Sequence, residues 1–112
     1  MNSPAPLPFS QACENNQGPI FEVLHSAFAQ CHHVLEIGSG TGQHSVFFAP
    51  RLPHLVWQTS DLDGNHAAIQ AWHNAHGASN LRAPLSFDLA SSNWPEANEA
   101  QPFDAVFTSK TC

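Results

Sequence analysis

Apolar positions along the chain alternate between two periods. Ile20, Val23, Leu24, Ala27 and Phe28 recur at helical spacing behind Pro19, a residue suited to the first position of a helix, so a helix is predicted to open there. The polar cluster Phe9-Ser10-Gln11-Ala12-Cys13-Glu14-Asn15-Asn16 just before it reads as its capping loop, with a lid over a ligand as the alternative. Val34-Leu35-Glu36-Ile37 then suits a central strand buried on both faces. Ser45 to Ala49 continue a short helix that Pro50 should end, and Leu55-Val56-Trp57-Gln58-Thr59-Ser60 reads as a second strand closing on Asp61 and Asp63. Ala68, Ile69, Ala71, Trp72 and Ala75 mark a helix from near Asn65 to Gly77, a natural residue just past a helix end. Two more short strands are predicted at 83–88 and 103–108, with room between them for a turn or two of helix at 91–100. Residues 1–8, which hold three prolines, form an irregular arm.

This βαβα alternation predicts an α/β fold with a parallel sheet and right-handed crossovers. The glycine-rich turn at 38–42, Asp61 and Asp88 should then share the carboxyl edge of the sheet, where such folds bind ligands. The first strand stops in Gly38, Gly40 and Gly42, and an amphipathic run follows. Glycine there lets a ligand approach the backbone closely, with the free N–H groups of the next helix aimed at it.

The spacing separates the ligand classes. A dinucleotide fingerprint is G-x-G-x-x-G and a P-loop needs G-K-[ST], whereas this loop is G-x-G-x-G preceded by the acid Glu36. The E-x-G-x-G-x-G pattern resembles the first motif of Rossmann-like S-adenosylmethionine-dependent methyltransferases. A tight turn that binds nothing and a nicotinamide dinucleotide site remain the alternatives. Asp61, about 20 residues past the loop at the end of the second strand, stands where Rossmann-type sites place the acid that accepts from ribose hydroxyls. Asp63 reads instead as a helix cap. Trp94 is either a core anchor or a wall beside an adenine.

Composition narrows the partners. With 112 residues the chain is one domain with a modest core, and its net charge of −6 with only Arg51, Arg82 and Lys110 as strong cations leaves little with which to follow a phosphate backbone, so nucleic acid is not expected. Charged residues are only 11% against eight Phe and three Trp, a surface for which a partner would help solubility. Cys13, Cys31 and Cys112 are an odd set without C-x-x-C, which favours reduced thiols. No metal is expected, because His73 and His76 lack a carboxylate or cysteine at ligand spacing. With no leader-like start and no run of 18 apolar residues, the expectation is a soluble, cytoplasmic protein without a membrane partner.

With these residues laid out, the sequence resembles the methyltransferase family filed as domain of unknown function 938. The resemblance rests on Glu14-x-Asn16-x-x-Pro19-Ile20, Leu35-Glu36-x-x-Ser39-Gly40-Thr41-Gly42-Gln43-His44, Trp57-Gln58-x-Ser60-Asp61-x-Asp63, Ala83-Pro84-Leu85 and Asp88. It implies a class I methyltransferase fold binding S-adenosylmethionine. Glu36 and the loop residues Gly38, Ser39, Gly40, Thr41 and Gly42 would lie beside the methionine part, Asp61 on the ribose and Asp88 near the adenine amine. Asn15 departs from the family pattern, which looks to carry an arginine there. The ending at Ser109-Lys110-Thr111-Cys112 departs too, so the chain reads as the cofactor half of a larger sheet, apparently truncated after the fourth strand.

The expected function is therefore an S-adenosylmethionine-dependent methyltransferase, or its cofactor-binding fragment, acting on a small molecule. Catalytic residues are unassigned, with His44 and Glu14 as guesses at a base. The alternatives are a catalytically inactive interaction module and a nicotinamide-dependent oxidoreductase. A sheet ending at its fourth strand should also leave Phe103, Val106 and Phe107 on an open apolar surface and self-associate through that edge.

Overall fold

The computed structural model describes residues 9–88 and 102–109. Helix α1 spans Gln11–Ala27, so it starts well before Pro19 and absorbs the polar cluster expected to be a loop. Ser10 caps it, its hydroxyl accepting from the Cys13 N–H at 3.3 Å. Cys13, Ile20 and Leu24 then fall on one inward face, Cys13 and Leu24 fully buried, while Val23 of the expected stripe stands 65% exposed. Pro19 is tolerated inside the helix because it and Asn15, whose carbonyl loses its partner, are both exposed to water. Cys13 is disulfide-bonded, which corrects the expectation of three reduced thiols, while Cys31 is free.

Strand β1 (His33–Ile37) is buried from Val34 on, as a central strand requires. Helix α2 (Gln43–Arg51) continues one residue past Pro50, which sits in the exposed last turn. Strand β2 (Val56–Asp61) leads through a single 3₁₀ turn at Asp63–Asn65 into α3 (His66–His76). Gly77 follows with φ −65° and ends the helix where expected. Glycine is required there for space: a Cβ would stand 2.4 Å from the His73 carbonyl oxygen, which the Gly77 N–H bonds at 2.8 Å.

Strands β3 (Leu81–Ser86) and β4 (Ala105–Thr108) complete a four-stranded parallel sheet in the order β3-β2-β1-β4. Pro84 sits within β3, which is possible because β3 is an outer strand. The register with β2 shifts between Gln58 and Ser60. Side chains bridge the gap, Gln58 Nε2 donating to the Ala83 carbonyl at 2.6 Å and Thr59 Oγ1 to that of Arg82 at 2.9 Å. Phe87 and Asp88 therefore lie beyond the strand, at its carboxyl end.

Alternation divides the apolar residues between the two faces. Val34 and Trp57 join Leu24, Phe48, Ala49, Leu52 and Leu55 under α1 and α2, and Phe107 packs on this cluster with its ring 5.7 Å from those of Phe48 and Trp57. Leu35, Ile37 and Phe87 form the opposite cluster with Phe103 against it, and all three are buried. The described residues show the expected open apolar surface only in part. Phe103 and Phe107 are both packed, and among the apolar side chains of β4 Val106 alone, at 52%, stands well exposed. Trp94 and the segment around it lie outside the described residues.

Candidate functional site

The strand order reverses at β1, which has β2 on one side and β4 on the other, so a crevice opens beyond its carboxyl end. Residues 38–42 occupy that point, with Gly38, Gly40 and Gly42 all at positive φ. Two of these glycines have distinct reasons. At Gly38, φ is +69° and a Cβ would meet no atom within 4 Å, so its backbone faces open space. At Gly42, φ is +91° and a Cβ would come within 3.0 Å of the Ile69 Cα, so glycine here lets α3 pack against the start of α2.

Polar groups behind the loop hold its shape. The Ser39 N–H donates to the Ser60 carbonyl at 3.0 Å, and its hydroxyl donates to Glu36 Oε1 at 2.9 Å while accepting the Ser60 N–H at 3.2 Å. Trp57 Nε1 reaches the same Glu36 oxygen at 3.2 Å. Glu36 is only 2% exposed, so it supports the loop from below and does not line the crevice. The Trp57 and Ser60 contacts were not foreseen, since a buried strand pattern does not say which side chains meet across it.

Burial pushes the Glu36 carboxyl up to about 7, outweighing the two donors that favour its charged form. Its folded value lies above the ordinary 4.5, so this group's favourable contribution is complete below pH 4.5 and is lost as pH rises towards 7. Glu36→Gln keeps the acceptor and removes the charge. The variant should match the parent near pH 4.5 and exceed it by up to roughly 3 kcal/mol above pH 7. Urea melts of both proteins across this range check the prediction; a gap that does not change with pH would refute it. Burial also lowers His73 to about 4, an effect of opposite slope that is common to both proteins and cancels in the difference.

Asp61, at the end of β2, joins this network at the crevice. Its Oδ2 accepts the Gly40 N–H at 2.8 Å, and its Oδ1 accepts the Leu62 N–H at 2.7 Å and Asn65 Nδ2 at 3.0 Å. Ile37, Gly38, Asp61, Leu62, Phe87 and Asp88 line a cleft of about 210 Å³. The structure thus brings Gly38, Asp61 and Asp88 to one cleft and adds Leu62 and Phe87. Glu36, Ser39 and Gly42 are buried behind it. Asp63 does not cap α3; it accepts the Ser86 hydroxyl across the end of β3, a pairing that local sequence could not signal. Asp61 instead takes the Leu62 and Asn65 donors ahead of that helix.

The next residues of the loop tie α1 to it. Thr41 Oγ1 donates to Gln43 Oε1 at 3.0 Å, and the same oxygen accepts the Ser10 N–H at 2.5 Å while Gln43 Nε2 donates back to the Ser10 carbonyl at 3.2 Å. His44 is 1% exposed, stacked on Phe48 at 5.2 Å, and neither ring nitrogen has a partner among the described residues. Burial lowers its pKa from the usual range, which favours the neutral ring. An unpaired buried polar group costs about 1–3 kcal/mol. His44→Phe is therefore expected to raise the melting midpoint, and a fall would refute this view of the pocket. No cluster of three or more potential metal ligands and no helix long and apolar enough to cross a membrane occurs among the described residues.

A parallel β3-β2-β1-β4 sheet with a glycine loop after β1 and an acid at the end of β2 defines a Rossmann-like α/β fold. The chain belongs to the family described as Protein of unknown function (DUF938), which matches residues 7–112. It is similar in structure to the S-adenosylmethionine-dependent methyltransferase SibL (TM-score 0.70, 18% identity, 88% of this chain and 27% of that one). The N-terminal domain of EvdMO1, solved in the presence of SAH and D-fucose, aligns at TM-score 0.65 and 20% identity, over 81% of this chain and 37% of that one. CalS10, an amino pentose methyltransferase from Micromonospora echinaspora solved with SAM bound, aligns at 0.55 and 22%, over 85% and 35%. At these identities the likeness is one of fold, and the chain spans between 27% and 37% of the three structures' lengths.

Proposed function

We propose that this chain forms the S-adenosylmethionine-binding part of a methyltransferase that acts on a small molecule. The observation that carries the reading is the Asp61 carboxylate bonded to the Gly40 N–H at a cleft where the Gly38 backbone lies open. The donor set suits the cofactor. Three donors occupy Asp61, and a carboxylate offers about four acceptor sites, so one remains for a ribose hydroxyl. Leu62 and Phe87 offer apolar walls for an adenine, and Asp88 at the rim an acceptor for its amine. When bound, S-adenosylmethionine supplies a methyl group activated by its sulfonium. The loop residues would orient it, and Glu36 would hold the loop still from beneath, since alignment and exclusion of water carry most of such a displacement. A small acceptor is supported by D-fucose beside EvdMO1 and the amino pentose of CalS10.

Calorimetric titration tests the reading. S-adenosylmethionine and S-adenosylhomocysteine should each bind at one saturable site, and NAD should give no heat of binding. Saturable NAD binding without a response to S-adenosylhomocysteine would overturn it in favour of the oxidoreductase reading.

A further inference from the structure

The outer face of the helical layer carries a groove of about 300 Å³ that shares no lining residue with the cleft at the carboxyl edge. Helix α1 contributes Glu14, α2 contributes Phe47 and Arg51, α3 contributes Trp72, and Phe9 stands at the end ahead of α1. This volume is at the lower end for small-molecule pockets.

Arg51 is held ready in it. Its guanidinium lies 3.8 Å over the Phe47 ring, and Nη1 donates to the Phe47 carbonyl at 2.9 Å. Those two contacts fix the plane of a group with five donors, and Arg51 forms no ion pair among the described residues. A planar fork presented in this way matches a carboxylate. Phe9, 56% exposed, and the parts of Phe47 and Trp72 that line the groove beside Arg51 offer apolar surface for a flat ring. Glu14 brings the opposite charge to the same groove.

We propose that this groove is a second ligand site, for a small aromatic zwitterion of amino-acid type. Its carboxylate lies on Arg51, its ring among Phe9, Phe47 and Trp72, and its ammonium group towards Glu14. Gln43 borders the groove and bonds Thr41 and Ser10, so an occupant touches a residue that supports the glycine loop.

Three probes separate the contributions in calorimetric titrations of the whole chain: L-phenylalanine, phenylpropionate, which lacks the ammonium, and phenethylamine, which lacks the carboxylate. Phenylalanine should bind saturably. Arg51→Gln should weaken phenylalanine and phenylpropionate about tenfold or more and leave phenethylamine unchanged. Glu14→Gln should do the reverse, weakening phenylalanine and phenethylamine alone. Arg51→Lys, which keeps the charge but not the fork, should recover part of the affinity for the two acids. Melting curves, not cofactor binding, report that each variant is folded, so the result stands apart from the methyltransferase reading. Absence of saturable phenylalanine binding, or equal effects of Arg51→Gln on all three probes, would overturn the proposal.

Discussion

Replacing Gly38 by valine is expected to lower S-adenosylhomocysteine affinity by about a hundredfold or more, the largest binding effect of any single change at this site. Two physical causes act together. A β-branched residue at φ +69° is strained by about 1–3 kcal/mol, and its side chain would stand in the open space that the cleft offers a ligand. No protein atom lies within 4 Å of the new Cβ, so the loss would fall on binding more than on packing. Gly18→Ala is the matching control: a Cβ there also meets nothing, but Gly18 lies within α1, away from the lining of the cleft, and affinity should be unchanged. Calorimetry on both variants decides, and a Gly38→Val protein with the parent's affinity would place the ligand elsewhere.

Asp61→Ala has the second largest expected effect, and it acts on two quantities. Loss of the ribose contact should weaken cofactor binding by about 1.5–3 kcal/mol, the range for a hydrogen bond to a charged group. The Gly40 and Leu62 N–H groups would also lose their acceptor, which should lower the melting midpoint and loosen the loop. Asp63→Ala removes only an exposed bond to the Ser86 hydroxyl and should leave affinity untouched. Equal losses of affinity in the two variants would mean that the ribose acid is wrongly placed.

How far the sequence reveals this site depends on which interactions are local. The apolar run into Gly38, Gly40 and Gly42 and the second strand closing on Asp61 are signals within a few residues of one another, and βαβ geometry then places them on one edge. That is why the cleft residues Gly38, Asp61 and Asp88 were foreseen. Leu62 and Phe87 were not, because they line the cleft only once β2 and β3 stand side by side. The same limit explains Asp63, whose partner Ser86 lies on another strand, and Glu36, whose burial comes from Trp57 and Ser39 closing over it.

Two local signals, one of which misled, turn on a different physical reason. Proline at position 19 marks a helix start only when nothing upstream caps better, and Ser10 does so here with Cys13 already on the buried face. Glycine at position 77 marks the helix end as expected, and what it provides there is room for the His73 carbonyl. In both cases residue type stated a permission, and packing decided how it was used.

The most direct test of the cofactor site is an amide-resolved NMR titration of the whole chain with S-adenosylhomocysteine. The arrangement at the carboxyl edge predicts that saturable shifts concentrate on Gly38, Gly40, Thr41, Leu62, Phe87 and Asp88, while the amides along the groove between α1 and α3, such as Glu14 and Arg51, stay in place. Shifts concentrated on that groove, with Gly38, Leu62 and Phe87 unmoved at saturation, would contradict it.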